Sequence, residues 1–186
     1  MKTRNILFVI PTLLSFTGCE YNEIVKSIDS YQYHSDSFFP MAIGNYWRAN
    51  DENYTEITNV ILIEGVLYYK VHSLIGGDVS STEYLRIDDE NNLIMSYPNA
   101  TWKYVRAKFN SSIGDTFFTL NDSSYSDLKV TTISKSDDAM EFEYQRVYDD
   151  HPFLISDKYN MTYKKGLGPV ANWKEVRIDG IIYKYD

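Results

Sequence analysis

The stretch AMEFEYQRVY, residues 139 to 148, alternates between apolar and polar side chains along its length. The two sets are Met140, Phe142 and Tyr144 on one side and Glu141, Glu143 and Gln145 on the other. A period of two places all the apolar side chains on one face of an extended chain, whereas an amphipathic helix needs a period near 3.6. The segment therefore predicts a half-buried β-strand.

Similar signals occur on both sides of this stretch. KYNMTYK (158–164) alternates in the same way, with Tyr159, Met161 and Tyr163 predicted to face the core. NVILIEGVLYYKVHS (59–73) predicts a hairpin that turns at Glu64-Gly65, and EYLRIDDENNLIMSY (83–97) predicts one that turns at Asp88 to Asn92. WKYVRAKF, DLKVTTIS and EVRIDGIIYKYD supply further strands.

No stretch of twelve or more residues has a helical period, so the predicted strands indicate the fold class. Aromatic residues make up 16% of the chain, and such side chains suit a pleated, half-buried surface. The sequence predicts an all-β protein with little helix. Its single antiparallel domain is expected to form a sandwich or a strongly curved sheet, such as a half-barrel.

The N-terminus has the features of an export signal. Lys2 and Arg4 precede an apolar run over residues 6–16, which is too short for a membrane-spanning helix. The run ends in Thr17-Gly18-Cys19, which resembles the lipobox of bacterial lipoproteins, with Phe16 where leucine is commonest. The resemblance implies that Cys19 carries diacylglycerol and becomes the new N-terminus. The alternative is a cysteine that follows an uncleaved apolar segment by chance.

This interpretation divides the chain into three parts: a lipoprotein signal peptide (1–18), a flexible tether (19–37) and a single β-rich domain (38–186). Two or three acyl chains, of the palmitate type, would make the membrane the first partner, held through Cys19. Glu20 does not match the Asp-type signal for inner-membrane retention. The expected location is therefore a bacterial outer membrane, reached by export.

Charge excludes some partners. The formal net charge is −8, and removal of residues 1–18, which hold two basic and no acidic residues, would leave 168 residues with a charge of −10. Nucleic-acid binding needs a basic surface, and an anionic bilayer repels an acidic one. The chain has one cysteine, so no internal disulfide supports the fold and the core must stabilise it.

A wider resemblance rests on FFPMAIGNYWRAN (38–50), IEGVLYYKV, EYLRID, SSIGDTFF and YKKGLGPV. These segments resemble secreted proteins and lipoproteins of the Bacteroidetes type. Those proteins open with Phe-Pro-Leu-x-x-Gly-x-x-Trp and close with Lys-Gly-x-Gly before the last strands. Met41 stands here for leucine, and Phe117 for tryptophan. The resemblance implies location and architecture, and it carries no activity.

The search for catalytic residues finds few candidates. His34, His72 and His151 lack metal-ligand spacing, and lipid would occupy the thiol of Cys19. No metal and no cofactor are therefore predicted. A Ser-His-Asp triad remains open, because its members need not be near in sequence. The acidic clusters lie in predicted turns, where aspartate serves local hydrogen bonding: Asp88-Asp89-Glu90, Asp137-Asp138 and Asp149-Asp150.

Aromatic residues supply the ligand-binding candidates. Trp47, Trp102 and Trp173 could form a sugar-stacking platform or line a lipid-holding concavity. The competing interpretation is that large aromatic residues build the core, and Trp47 in particular fits an anchor in the first strand.

Three functions stay open. The first is a non-catalytic envelope lipoprotein that binds a glycan, a lipid or an envelope protein. The second is a hydrolase acting on glycans or esters through an unidentified site. The third is a periplasmic carrier of lipid or lipoproteins, which would need an apolar cavity.

Overall fold

The computed structural model describes residues 36–122, 126–148 and 157–185. The predicted signal peptide and the lipidation site Cys19 lie outside these ranges, as does the tether up to residue 35. His34, His151 and the pair Asp149-Asp150 also lie outside them.

The described residues form β-strands joined by turns and contain no helix. Within these ranges, then, no helix has the length and apolar character needed to span a bilayer. The strands are β1 (Tyr46–Asn50), β2 (Asn53–Ile63), β3 (Val66–Ile75), β4 (Val79–Ile87), β5 (Asn92–Ser96), β6 (Tyr104–Lys108), β7 (Thr116–Phe118), β8 (Asp127–Lys135), β9 (Ala139–Tyr148), β10 (Lys158–Lys164), β11 (Gly168–Val170), β12 (Glu175–Ile178) and β13 (Ile181–Lys184).

Two antiparallel sheets contain these strands. The eight-stranded sheet has the order β13-β12-β1-β2-β3-β4-β5-β6, and the five-stranded sheet has the order β11-β10-β9-β8-β7. The chain thus builds six neighbouring strands, crosses to the other sheet for five, and returns beside β1 with its last hairpin. The sheets do not close into a barrel and fit a sandwich, which confirms the all-β antiparallel prediction.

Both predicted hairpins form, and each turns at the residues predicted for its turn. Glu64 and Gly65 both have positive φ, 52° and 75°, as a two-residue type I′ turn requires. In the turn between β4 and β5, Asp88 Oδ1 accepts hydrogen bonds from the backbone N–H groups of Glu90 and Asn92, at 3.0 and 2.7 Å. The acidic cluster at this position therefore acts as a turn, as predicted.

Strand β9 shows the predicted alternation, with Met140, Phe142 and Tyr144 all buried. Strand β10 follows it only in part. Tyr163 is buried, but Tyr159, predicted to face the core, is 48% exposed. The first three residues of β10 are all exposed, so this end of the strand lies at the periphery of the core. Tyr159 stacks there on Tyr144, its cross-strand partner, with ring centroids 5.0 Å apart.

Aromatic rings fill the centre of the sandwich. Phe109, which directly follows β6, lies 5.2 Å from Tyr163 and 6.2 Å from Phe142 between ring centroids. Both contacts are edge-to-face, which is the arrangement that the ring quadrupoles favour. Because Phe109 follows the eight-stranded sheet while Tyr163 and Phe142 belong to the other, these contacts hold the sheets together.

Trp47 joins the sheets at a second place. Its side chain on β1 is fully buried, and its indole Nε1–H donates to the carbonyl oxygen of Leu167 at 2.6 Å. Leu167 lies in the bend between β10 and β11, where Gly166 and Gly168 have φ values of +72° and +89°. Both values lie in the left-handed region, which glycine adopts without strain, so the two glycines allow the tight bend. A Cβ on Gly168 would lie only 2.8 Å from Cζ2 of Trp47, so the indole ring packs directly on the glycine backbone.

The first described residues contact the same bend. The backbone N–H of Gly166 donates to the carbonyl oxygen of Ser37 at 2.8 Å, and Lys165 Nζ lies 3.8 Å from a carboxylate oxygen of Asp36. Residues 36 and 37, predicted to end the tether, therefore already lie against the five-stranded sheet.

We expect Gly168→Ala to destabilise the protein by about 2–4 kcal/mol, since it adds both backbone strain and a collision with Trp47. Gly180→Ala is the matched control. Gly180 also has positive φ, +78°, but a Cβ there meets no atom within 4 Å. Gly180→Ala should lower the free energy of unfolding by only about 1 kcal/mol, because it adds backbone strain and no collision. Chemical denaturation of both variants would measure the difference, and equal losses would contradict the role assigned to Trp47.

Candidate functional site

A groove of about 530 Å³ lies beside the bend between β10 and β11. Its lining comes from the end of β10, the bend, the segment that leads into β12, and the residue after β13. The groove therefore draws on strands of both sheets. Its apolar lining includes Leu167, Pro169, Val170 and Ala171.

The bend fixes one wall of the groove. The backbone N–H of Leu167 donates to the carbonyl oxygen of Lys164 at 3.0 Å, and the carbonyl oxygen of Leu167 accepts from Trp47. Pro169 follows in β11, where it pairs with Tyr163 of β10. Because Trp47 is itself buried in the core, this wall is attached directly to the centre of the fold.

Trp173 also lines the groove and is half-buried. Its indole Nε1–H donates to the carbonyl oxygen of Pro169 at 2.8 Å, and its backbone N–H donates to Ala171 at 2.8 Å. The only polar atom of the ring is thus satisfied within the protein. What the ring offers to the groove is an apolar surface in a fixed orientation.

The neighbouring backbone is also fixed. The N–H of Lys174 donates to the carbonyl oxygen of Arg48 on β1 at 2.8 Å, and its carbonyl oxygen accepts from the N–H of Tyr185 at 2.9 Å. Tyr185 lines the groove with a side chain that is 44% exposed. Its ring is therefore accessible to a ligand in the groove.

The charged residues that line the groove are Lys164 and Lys174, and no carboxylate is among the lining residues. Within the described ranges neither lysine forms an ion pair. The lysines next to the groove differ in this respect. Lys165 lies 3.8 Å from Asp36, and Lys184 lies 3.7 Å from Glu175.

The three candidate tryptophans do not converge. Trp47 is fully buried, so no face of its ring can stack on a ligand, and the core interpretation applies to it. Trp102 lies in the loop between β5 and β6, at the edge of the eight-stranded sheet opposite to β12 and β13. Its ring packs edge-to-face on Tyr97, with centroids 5.7 Å apart. Of the three, only Trp173 lines the groove.

A second polar feature lies between the sheets. Arg106 on β6 forms a two-pronged ion pair with Glu83 on β4, with N–O distances of 2.7 and 3.0 Å. The hydroxyl of Tyr144 donates to the carbonyl oxygen of Arg106 at 2.7 Å. Burial raises the pKa of the phenols of Tyr144 and Tyr163, and the positive charge of Arg106 offsets part of that effect. Both phenols therefore stay protonated in the folded protein at neutral pH.

This ion pair was not predicted, because no local pattern links residues 83 and 106. The guanidinium and the carboxylate satisfy each other, so the pair offers neither an unpartnered charge nor a nucleophile. We interpret it as structural, since it allows two charged side chains to lie among partly buried tyrosines.

Acid–base and metal chemistry find little support in the described ranges. No three His, Cys, Asp or Glu side chains there lie close enough to hold a metal ion. His72 lies on β3 beside Tyr54, with ring centroids 6.1 Å apart, and is not a lining residue of the groove. Asp137-Asp138 occupies the turn between β8 and β9.

The chain matches no protein-family model, no curated protein and no solved structure. The groove is therefore interpreted from its own residues.

We expect Glu83→Gln to lower the free energy of unfolding by about 1–2 kcal/mol, because it leaves the partly buried guanidinium of Arg106 without its carboxylate. Asp51→Asn is the control. Asp51 is 96% exposed and lies 3.8 Å from Arg48, so its loss should change stability by less than about 0.5 kcal/mol. Urea denaturation would compare the two variants, and equal small effects would show that the Arg106 pair is not needed for the fold.

Proposed function

We propose that the mature chain is a lipid-anchored protein of a bacterial envelope whose β-sandwich binds a carbohydrate without cleaving it. The anchor is the lipid on Cys19, and the outer membrane is the membrane that Glu20 favours. The observation that carries the binding function is the groove at Trp173, where aromatic surfaces are open to a ligand and the described lining residues include no carboxylate or histidine.

The groove suits a sugar for a chemical reason. A sugar ring has an apolar face of C–H groups and a rim of hydroxyl groups, so it pairs well with an aromatic face that has polar neighbours. Trp173 and Tyr185 supply the aromatic surfaces. Asn172, Lys164 and Lys174 supply polar groups that can bond to hydroxyls.

The hydrolase alternative has less support. Glycoside hydrolysis requires two carboxyl groups on either side of the scissile bond, and ester hydrolysis requires an activated nucleophile. In the part of the chain that the structure describes, the lining residues include neither a carboxylate nor a histidine. A hydrolase would therefore have to act at some other part of the chain.

The carrier alternative requires an apolar cavity able to hold acyl chains. In the described part of the sandwich, Phe109, Phe142 and Tyr163 pack against one another between the sheets. A lipid entering there would have to displace these rings, which would cost much of the core packing.

Lipidation can be tested on the full chain. Mass spectrometry of the protein extracted from membranes should show an N-terminal peptide that begins at an acylated Cys19. Cys19→Ala should instead accumulate as unprocessed precursor, because the thiol that accepts the lipid is missing. Ser15→Ala, within the apolar run, is the control and should be processed normally. Membrane-extracted protein that still carries residues 1–18 would contradict the proposal.

Carbohydrate binding can be tested by calorimetric titration of the detergent-extracted chain with a panel of plant and bacterial oligosaccharides. Trp173→Ala should weaken binding at least about tenfold, because it removes an oriented aromatic surface worth more than about 1.4 kcal/mol. Trp102→Ala should bind like the parent, because Trp102 lies at the opposite edge of the sheet.

The oligosaccharides should be recovered intact after the titration. Their cleavage would favour the hydrolase alternative. If Trp173→Ala is poorly folded, Tyr185→Ser offers a second test, because Tyr185 is exposed and follows the last strand. Unchanged affinity in both groove variants would place any binding elsewhere.

A further inference from the structure

We infer that the groove selects acidic carbohydrates, in which sugar rings carry carboxylate groups, over neutral ones. This inference rests on the proposed carbohydrate-binding function and adds the charge of the ligand. Three observations support it: the sign of the lining charges, their lack of acidic partners among the described residues, and their origin in segments that belong to different sheets.

The sign of the lining is opposite to that of the protein. The chain has 26 acidic and 18 basic residues, yet the described residues that line the groove include two lysines and no carboxylate. The charge of the described lining therefore differs in sign from the net charge of the chain. Ammonium groups beside an apolar wall attract an anion that has an apolar body, which describes a sugar acid.

The two lysines are also without acidic partners in the described ranges, while two lysines close by have them. Lys165 is paired with Asp36, and Lys184 with Glu175. An ammonium group that is already paired gains less from a second anion. Among the described residues, no carboxylate therefore competes with a ligand for Lys164 or Lys174.

The two lysines come from segments that belong to different sheets. Lys164 ends β10 and pairs with Gly168 across the bend, so it belongs to the five-stranded sheet. Lys174 precedes β12, and its backbone is hydrogen-bonded on both sides, to Arg48 and to Tyr185. Two ammonium groups supplied by separate segments of the chain suit an oligomer that carries a charge on more than one sugar.

Each exposed pair of opposite charges contributes only a small part of the binding free energy, and salt weakens that contribution by screening. Two such pairs should favour an acidic oligosaccharide over its neutral counterpart by about 3- to 20-fold at low ionic strength. At about 0.5 M salt, where the Debye length is only a few ångströms, the preference should fall to about twofold or less.

The test uses matched pairs of oligosaccharides: oligogalacturonate, oligoalginate and hyaluronan fragments, each with its product in which the carboxylates are reduced to primary alcohols. The members of a pair have the same rings and linkages and differ in charge. Titration of the full detergent-extracted chain at low and high salt gives the affinity ratio for each pair. Inorganic phosphate, added as a competitor, shows whether any anion suffices.

Two double variants distinguish an effect of the groove lysines from an effect of the net charge of the protein. Lys164→Gln with Lys174→Gln should abolish the acidic preference. Lys165→Gln with Lys184→Gln removes the same net charge close by and should preserve it. The lysines are exposed, so neither double variant is expected to disturb folding.

The inference predicts an acidic preference in at least one pair that disappears in the Lys164 and Lys174 variant and survives millimolar phosphate. It is overturned if neutral members bind as tightly as acidic ones, if the preference persists without the two lysines, or if phosphate alone displaces the ligand. In those cases binding that still depends on Trp173 would leave the carbohydrate function standing. Failure of every acidic and neutral oligosaccharide to bind would overturn both proposals.

Discussion

The contact between Trp47 and the bend at Leu167-Gly168 is the constraint on which the rest of the structure depends. One buried indole donates its N–H to a carbonyl of the other sheet and packs its ring on a glycine that has no room for a Cβ. β1 lies inside the eight-stranded sheet, between β12 and β2, so this contact sets the position of the bend relative to three strands. Leu167 and Gly168 also line the groove. The groove therefore forms as a consequence of how the two sheets are joined.

The same hydrogen bonds determine what the groove can recognise. Trp47 occupies the carbonyl of Leu167, Trp173 occupies the carbonyl of Pro169, and Tyr185 occupies that of Lys174. The backbone acceptors along the walls are thus engaged in holding the walls in place. A ligand meets the ring surfaces, the aliphatic side chains and the lysine ammonium groups. Such a surface, with rings and aliphatic side chains held in place by the backbone, can orient a ligand.

Local features were predictable from the sequence, whereas features made by distant residues were not. The alternation in β9 and the Glu64-Gly65 turn each depend on a few adjacent residues, and both were predicted. β3 breaks the alternation, because Leu67, Tyr68 and Tyr69 are all buried in succession. Tyr68 packs with Ile63 and Ile94 in a separate cluster, so this part of the sheet buries both of its faces. Tertiary packing of that kind overrides a period-two pattern.

The partners of the buried polar groups were likewise not predictable from the local sequence. Asp127 is fully buried and accepts hydrogen bonds from the hydroxyl of Thr119 and the backbone N–H of Leu120, at 2.6 and 2.9 Å. In the sequence it is simply the first residue of DLKVTTIS, and nothing there distinguishes it from a solvated aspartate. The ion pair of Arg106 and Glu83 spans 23 residues, and the indole of Trp47 reaches a carbonyl 120 residues away. The sequence identified Trp173 as one of three candidate ligand-binding residues. Which of the three lines a groove depends on how the strands pair, and the sequence did not show that.

The acidity of the protein gives the groove lysines a local effect rather than a long-range one. At physiological ionic strength charges are screened beyond about 8 Å, so an anionic chain senses the net negative charge of the whole molecule only as it approaches the surface. Close to the surface, carboxylates outside the groove repel it, and Lys164 and Lys174 attract only the part that reaches Trp173. For an acidic polymer lying flat across the surface, repulsion outside the groove would therefore cancel much of the favourable binding free energy gained inside it. A chain end or a short oligomer avoids that repulsion, and the charge distribution consequently favours recognition of termini or fragments over the middle of a long acidic chain.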